Sequence, residues 1–246
     1  MKYIFCNHPE LIEQAVAFAD PLGLTLIKEK PSQGLFLELN KEGLFLSNHQ
    51  TTLTIDFLSK ETKRRFNSFG QNQPLGKAVN LKQKPKILDA TAGLARDAFL
   101  LAASGCDVTL IEQSPILATM INVALEKAQN ERPEIIDHMH LVQGDSVKWI
   151  ESSNETFDVI YLDPMFPERK KSALVKKDMQ LLQELLGHTD NAETLLAMAL
   201  NKATHRVVLK RPRHALLIQE PDFQILSKTH RFDVFITSGL RIRASM

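Results

Sequence analysis

The feature that most constrains the fold of this chain is a regular alternation of strand-like and helix-like segments that begins at residue 86. Short apolar segments rich in branched residues predict strands at 86–89, 107–112, 140–143, 157–162, 206–210 and 232–237. Helical patterns lie between them, and a helix is the usual connection between parallel strands. We therefore predict an α/β fold in which a parallel sheet is covered by helices on both faces.

The first 80 residues predict a small α/β unit of their own. Asn7 is expected to cap a helix that ends at Asp20-Pro21 and Gly23. Segments 35–39 and 44–46 predict a hairpin, and segment 52–57 predicts a further strand. The basic, turn-rich segment 63–74 is predicted to lie on the surface and join the two units. We expect a small N-terminal subdomain at 1–80 and a second domain at 81–246.

The charges are balanced overall but segregated along the chain. The 30 Lys and Arg residues nearly equal the 29 Asp and Glu residues, yet residues 60–86 carry a net +7, residues 87–162 a net −8 and residues 163–246 a net +5. An anionic partner would suit the basic flanks and a cationic or polar ligand the middle, although solvated faces of different charge are the simpler explanation.

Several classes of protein are not expected from this composition. No apolar run approaches the roughly 20 residues that span a bilayer, and no signal-peptide core follows Met1, so a cytoplasmic protein without membrane contact is predicted. Cys6 and Cys106 are the only cysteines and lie far apart, which argues against a zinc site or a disulfide framework. We expect no metal.

The loop after the first strand of the alternating region predicts a nucleoside ligand without phosphate. Between Asp89 and Ala95 it holds one glycine, Gly93, where a dinucleotide-binding loop needs three to approach a pyrophosphate. S-adenosyl-L-methionine is such a ligand, and the missing glycines make a nicotinamide dehydrogenase a weak alternative. Glu112 ends the second strand, where its carboxylate can accept hydrogen bonds from both ribose hydroxyls.

Further polar residues at the strand ends extend this predicted cofactor site. Asp145 and Ser146 follow the third strand, in a position to contact the adenine. Arg96 and Asp97 open the first helix, where they could hold the carboxylate and ammonium of the methionine tail. Taken singly, an aspartate at a strand end is often only a helix cap.

The segment after the fourth strand predicts the chemistry. Asp163-Pro164-Met165-Phe166 resembles the (Asp/Asn)-Pro-Pro-aromatic motif of methyltransferases that modify exocyclic amino groups. The Asp163 carboxylate and the Pro164 carbonyl can accept the two amine hydrogens, which directs the nitrogen lone pair towards the methyl group. Phe166 can stack on the base. The alternative is an ordinary loop after a strand that ends at proline.

Three basic clusters predict contacts with nucleic-acid phosphates. They are expected to lie outside the acidic cofactor block, and a solvated surface is the simpler explanation for each. Their members are Arg64 and Arg65; Arg169, Lys170, Lys171, Lys176 and Lys177; and Lys210 and Arg211.

Three stretches together resemble one family closely, namely residues 89–99, 161–167 and 171–177, with residues 230–233 in support. They are similar to the RsmJ family of bacterial 16S ribosomal RNA guanine-N2 methyltransferases. The resemblance implies a Rossmann-like class I S-adenosylmethionine-dependent fold, 16S rRNA or the small ribosomal subunit as partner, and N2 methylation of one guanosine. The cofactor contacts that it implies are Arg96, Asp97, Glu112, Gln113, Asp145, Ser146 and Asp163.

One departure from the family and two functional alternatives remain. Ala95 stands where family members commonly have glycine, and we expect its small side chain to change the turn little. Methylation of adenine N6 or cytosine N4 in DNA would use the same tetrapeptide, and a non-catalytic rRNA-binding assembly factor could share the fold. No oligomeric state is predicted.

Overall fold

The computed structural model describes residues 1–165, 177–187 and 191–237. Its N-terminal part contains a five-stranded sheet in the order β2-β1-β3-β4-β5. The strands are β1 (Tyr3–Phe5), β2 (Thr25–Ile27), β3 (Phe36–Asn40), β4 (Gly43–Ser47) and β5 (Thr52–Thr54). β3 and β4 form the predicted antiparallel hairpin.

A seven-stranded sheet follows, in the order β8-β7-β6-β9-β10-β12-β11. Its strands are β6 (Lys86–Asp89), β7 (Asp107–Glu112), β8 (Met139–Gln143), β9 (Phe157–Leu162), β10 (Ala203–Pro212), β11 (Phe223–Leu226) and β12 (His230–Ile236). From β6 the chain builds outwards through β7 to β8, then returns to place β9 on the other side of β6. The order therefore reverses between β6 and β9, and the carboxyl ends of these two strands border the crevice where such sheets bind ligands.

Helices cover both faces of this sheet, as predicted. The helices are α1 (Ile12–Leu22), α2 (Lys60–Ser68), α3 (Pro74–Ala78), α4 (Arg96–Ala103), α5 (Pro115–Gln129), α6 (Pro133–Ile136), α7 (Ser146–Ser152), α8 (Lys177–Leu186) and α9 (Ala192–Lys202). Ile87 packs in a core with α4, α5 and the N-terminal unit, whereas its neighbour Leu88 packs in a second core with α7 and α9. This alternation is what a strand buried on both faces requires.

The N-terminal unit packs on the α4 and α5 side of the large sheet. Its apolar residues belong to the same continuous core as those of α4 and α5. Phe57 stacks on Phe99 of α4 with ring centroids 5.0 Å apart. The chain therefore buries apolar surface between its two sheets, while a domain boundary at residues 80 and 81 stays a prediction.

The structure corrects several expectations about individual elements. Asn7 does not cap α1, which begins at Ile12 after a 3-10 turn at Pro9–Leu11 and runs through Pro21 to Leu22. Part of the segment predicted as turn-rich is helix α2, capped by Ser59. The sheet is not wholly parallel, because β12 runs antiparallel to both β10 and β11. In the part of the chain that the structure describes, no helix is long and apolar enough to cross a membrane.

Candidate active site

Acidic side chains gather at the carboxyl ends of β6 and β9, around one lysine. Lys210 of β10 places its Nζ 2.9 Å from Oδ2 of Asp97 and 2.7 Å from Oδ2 of Asp163. Asp89, the last residue of β6, interacts electrostatically with all three of these groups. We call these four residues the carboxylate cluster.

Asp97 is held by donors from three other elements. Its Oδ2 accepts hydrogen bonds from Lys210 and from the Tyr161 hydroxyl of β9, the latter at 2.8 Å, and its Oδ1 accepts one from Arg65 of α2 at 3.1 Å. Burial alone would raise the pKa of Asp97, but Lys210 and then Tyr161 and Arg65 outweigh it and hold the pKa below its usual value. Asp97 is therefore ionised at neutral pH.

Asp163 is fixed by both its backbone and its side chain. Its N–H donates to Thr91 Oγ1 at 2.6 Å, which ties the end of β9 to the loop after β6. Burial raises the pKa of Asp163, and the ammonium of Lys210 opposes this effect. Pro164, the next residue, is buried, and the predicted amine-orienting pair directly follows the carboxyl end of β9.

Asp89 differs from the other carboxyl groups of the cluster because its pKa lies close to neutral pH. Its side chain is 2% exposed and accepts one hydrogen bond, from the Thr91 N–H at 3.1 Å. Burial raises the pKa of Asp89 to about 7, with Asp97 and Asp163 adding to the effect. Asp89 therefore holds a proton for part of the time at neutral pH.

Glu112 joins the two loops that follow β6 and β7. Its Oε2 accepts the Gly93 N–H at 2.9 Å and its Oε1 accepts the Ser114 N–H at 2.8 Å. Burial raises the pKa of Glu112, and these backbone donors oppose the shift. Gly93 has φ +54° and Ala95 has φ +53°. Ala95 therefore occupies a left-handed conformation that costs an L residue roughly 1–2 kcal/mol, so the turn accommodates alanine at a cost that glycine would not incur.

The residues expected to contact the adenine and the methionine tail have structural partners as well. Asp145 caps α7 by accepting the Lys148 N–H at 3.0 Å, and Ser146 donates to the Ala90 carbonyl at 2.6 Å. Gln113 is exposed after β7. Arg96 pairs with Asp178 of α8 at 3.0 Å, whereas its neighbour Asp97 pairs with Lys210 and Arg65. Their cofactor contacts stay predictions.

The site suits a ligand with positive charge and a ribose. S-adenosylmethionine carries a sulfonium and an ammonium. Asp89, Asp97 and Asp163 place carboxyl groups in a poorly solvated site, where the attraction between opposite charges is stronger than in water. Glu112, with both oxygens fixed by backbone donors, is a preorganised acceptor at the end of the neighbouring strand. Among the described residues, no group of three or more His, Cys, Asp and Glu side chains could hold a metal ion.

The basic residues separate into different environments. Arg64 is exposed on α2, Arg65 is paired with Asp97, and Arg211 donates to the Leu216 carbonyl at 3.0 Å. The expectation that all three basic clusters lie outside the acidic block is wrong for Lys210, whose side chain is 22% exposed and lies within the carboxylate cluster, and for Arg65, which pairs with Asp97 of that cluster. The remaining predicted site residues Phe166, Arg169, Lys170, Lys171 and Lys176 lie outside the described residues, and the Lys177 side chain is not described.

Three residues that contribute to the site were not predicted from the sequence. Tyr161 and Thr91 carry hydroxyls that orient Asp97 and Asp163. Arg231 is almost fully buried, pairs with Asp233 at 2.8 Å and donates to three carbonyls of residues 212–215, which holds the loop after β10. The signal available for Tyr161 was a polar ring two residues before Asp163, on the same side of the strand.

Comparisons with known proteins agree on one kind of enzyme. A family model described as "Putative SAM-dependent methyltransferase" matches residues 19–237. A Nitrosococcus oceani protein named ribosomal RNA small subunit methyltransferase J is 43% identical, with 93% of this chain and 95% of the relative covered. A Coxiella burnetii protein of the same name is 47% identical, with 75% and 74% covered. The crystal structure of a SAM-dependent methyltransferase from Neisseria gonorrhoeae superposes with a TM-score of 0.74 at 28% identity, covering 97% of each chain.

Proposed function

Because this chain belongs to the ribosomal RNA small subunit methyltransferase J family, a family of S-adenosylmethionine-dependent methyltransferases, we propose that it methylates the exocyclic N2 amino group of a guanosine in small-subunit rRNA. The observation that carries this proposal is the position of Asp163 and Pro164. They directly follow β9 at the switch point of the sheet, and Asp163 belongs to the carboxylate cluster.

The amino group of guanine needs help to act as a nucleophile. Its lone pair is delocalised into the ring, so it must be oriented before it can accept a methyl group. The Asp163 carboxylate accepts one amine hydrogen and the Pro164 carbonyl accepts the other, which turns the lone pair out of the ring system. S-adenosylmethionine supplies the methyl group when it is bound. Loss of one amine proton after transfer restores neutrality at N2, and Asp163 is the carboxylate in contact to receive it.

The cofactor side of the site would be formed by residues at three strand ends. Glu112 would accept the ribose hydroxyls, while Asp145, Ser146 and Gln113 would border the adenine. Asp97, ionised at neutral pH, would face the positive charge of the cofactor. Asp89 and Gly93 shape the loop on which the cofactor would rest. Arg96 would reach the methionine carboxylate only by leaving Asp178.

The RNA would approach over the basic residues that border the site. Arg64 and Arg65 of α2, Arg211 after β10, and the basic residues of 169–177 would contact phosphates. The target base must be unpaired or extruded, since a stacked and paired amino group cannot reach the methyl group. In this arrangement the 1–80 unit presents α2 to the RNA and the remainder carries the chemistry.

The test is Asp163→Asn, with Asp158→Asn at the opposite end of the same strand as the control. Asp158 accepts the Lys86 N–H at 2.9 Å, which asparagine can reproduce. We expect Asp163→Asn to lower methyl transfer about 100-fold or more while rRNA binding and the control variant stay near wild type. Full activity in Asp163→Asn would refute the assignment.

The identity of the methylated nucleoside is tested separately. Nucleosides from small-subunit rRNA of a strain lacking this chain are analysed by mass spectrometry, before and after complementation. Loss and recovery of N2-methylguanosine is the expected result. Loss of a different methylated nucleoside would contradict the guanine assignment and leave the methyltransferase assignment in place, and no change in any nucleoside would favour a non-catalytic role.

A further inference from the structure

Lys210 is built into the centre of the site by two neighbouring strands. Its strand β10 pairs with β9 on one side and with β12 on the other, and Lys210 lies opposite Phe232 of β12. The ammonium lies 2.7 Å from Asp163 and 2.9 Å from Asp97. The backbone of a lysine in the middle of a sheet is fixed, so the position of its ammonium group determines the positions of the Asp97 and Asp163 carboxylates that pair with it.

The charged and titratable groups around this lysine are predominantly acidic. From every element packed against the site, the groups that face it are Asp89 of β6, Asp97 of α4, Arg65 of α2 through Asp97, Tyr161 of β9, Asp163 after β9 and His230 of β12. Burial would lower the pKa of Lys210, but Asp97 and Asp163 outweigh it and raise the pKa above its ordinary value. The lysine therefore stays charged at neutral pH.

Removing this positive charge would leave the carboxyl groups facing one another. Asp163 would lose its ion pair with Lys210, while Asp97 would keep Arg65 and Tyr161. Like charges in a poorly solvated site favour proton uptake by one member of the group. Asp89, whose pKa burial raises to about 7, would compete for this proton but would keep the Thr91 N–H, whereas Asp163 would lose the hydrogen bond from Lys210. A protonated Asp163 would be a donor where the reaction needs an acceptor.

We propose that Lys210 is a positioning residue for methyl transfer, whose ammonium bridges Asp97 and Asp163 and holds both carboxylates in the arrangement that receives the target amine. This inference rests on the proposed function, since it assigns Asp163 to the amine. It replaces the phosphate contact expected from the sequence, because the ammonium is directed at two carboxylates within the site.

The experiment compares Lys210→Met with Lys210→Arg and with Lys86→Met. Lys210→Arg keeps the positive charge. Lys86 forms a surface ion pair with Glu155 at 3.1 Å at the opposite end of the sheet, so its variant is the control for loss of a lysine–carboxylate pair. The first measurement is the titration of the Asp163 carboxyl carbon by NMR in the protein without cofactor. The second is kcat for methyl transfer to small-subunit rRNA as a function of pH.

In Lys210→Met we expect the titration of Asp163 to move upwards by about one pH unit or more, the usual effect of losing an adjacent opposite charge. The acid limb of the kcat profile should move with it, so that kcat on that limb falls about 10-fold for each pH unit by which the limb moves and recovers at higher pH. KM for rRNA should stay within about twofold. Lys210→Arg should restore most of both effects, and Lys86→Met should show neither.

An unchanged Asp163 titration in Lys210→Met would overturn the proposal, and so would a higher KM for rRNA with an unchanged pH profile, which would identify a phosphate contact. If Lys210→Met does not fold, Lys210→Gln is measured by the same two criteria. Absence of methyl transfer by the wild type would refute the proposed function, while the NMR titration would still decide the role of Lys210 at Asp163.

Discussion

The buried carboxyl of Asp89 makes the stability of this protein depend on pH in a direction that can be measured. Asp89→Asn is the informative substitution, because the amide has nearly the same shape and its oxygen can still accept the Thr91 N–H. The substitution removes the titration of this group and leaves every other ionisable group in place.

The sign and size follow from the pKa of Asp89, which burial raises from 3.8 to about 7. The native state therefore binds a proton at pH values where the unfolded state has lost it, so this group lowers stability as pH rises from about 4 to about 7. A difference of about 3 pKa units corresponds to about 4 kcal/mol. About 3 kcal/mol of this loss falls above pH 5.

The assay is urea unfolding of wild type and Asp89→Asn at pH 5 and pH 8, in the absence of cofactor. Contributions from titrating groups that do not interact with Asp89 cancel in the difference between the two proteins, and Asp97, Asp163 and Lys210, which do interact with it, are the remaining source of a pH-dependent difference. The free energy of unfolding of Asp89→Asn relative to wild type should increase by about 3 kcal/mol between these pH values. A difference that is constant with pH, or that falls, would refute the reasoning that burial keeps Asp89 protonated.

Two further predictions concern the contacts around the site. Glu112→Ala removes a carboxylate that accepts two backbone N–H groups at 2.9 and 2.8 Å. Urea unfolding should show a free energy of unfolding lower by about 3 kcal/mol, and calorimetry should show weaker cofactor binding. Unchanged stability would contradict the role of Glu112 in joining the two loops. Arg64→Ala and Arg65→Ala should each lower the salt dependence of rRNA binding by roughly one phosphate contact. Of these two variants only Arg65→Ala should also change cofactor affinity, because Arg65 pairs with Asp97. Equal effects of the two variants on cofactor binding would contradict a role of the Arg65–Asp97 pair in cofactor binding.

The order of elements in the large sheet was predictable because each strand there is a local pattern. Segments 86–89, 107–112 and 157–162 match β6, β7 and β9 residue for residue, and Ser114 and Pro115 mark the start of α5. The three-residue strands β1 and β2 were not predicted, since so few residues show no periodicity and pairing between distant segments stabilises them. α2 was missed because its charges and Phe66 suggested a loop, whereas Ser59 caps a helix there.

The strand-end positions of the candidate site were predictable for the same reason, since a residue at the end of a parallel strand must reach the crevice edge. Asp89 and Glu112 each close a strand and Asp163 directly follows one, and the structure places all three at the carboxyl end of the sheet. Which partner each carboxylate would have was not predictable. Tyr161 donates to Asp97, Lys210 donates to Asp97 and Asp163, and Thr91 accepts the Asp163 N–H. The members of each pair are far apart in the sequence, so their distances depend on packing that no local pattern records.

The basic residues show why a count of charges along the chain cannot assign their roles. Arg64 and Lys210 both belong to clusters with a net positive charge, and the sequence predicts a phosphate contact for each of them. Arg64 lies on an exposed helix face, whereas Lys210 lies on a central strand with its side chain 22% exposed. A cation among buried carboxylates is most strongly coupled to their protonation, while an exposed cation is most strongly coupled to salt and phosphate. The two arginines of α2 differ in a related way, since both are proposed to contact phosphate but only Arg65 also pairs with Asp97. Residues of one basic cluster therefore have different functions, so belonging to a cluster does not assign a role to a basic residue.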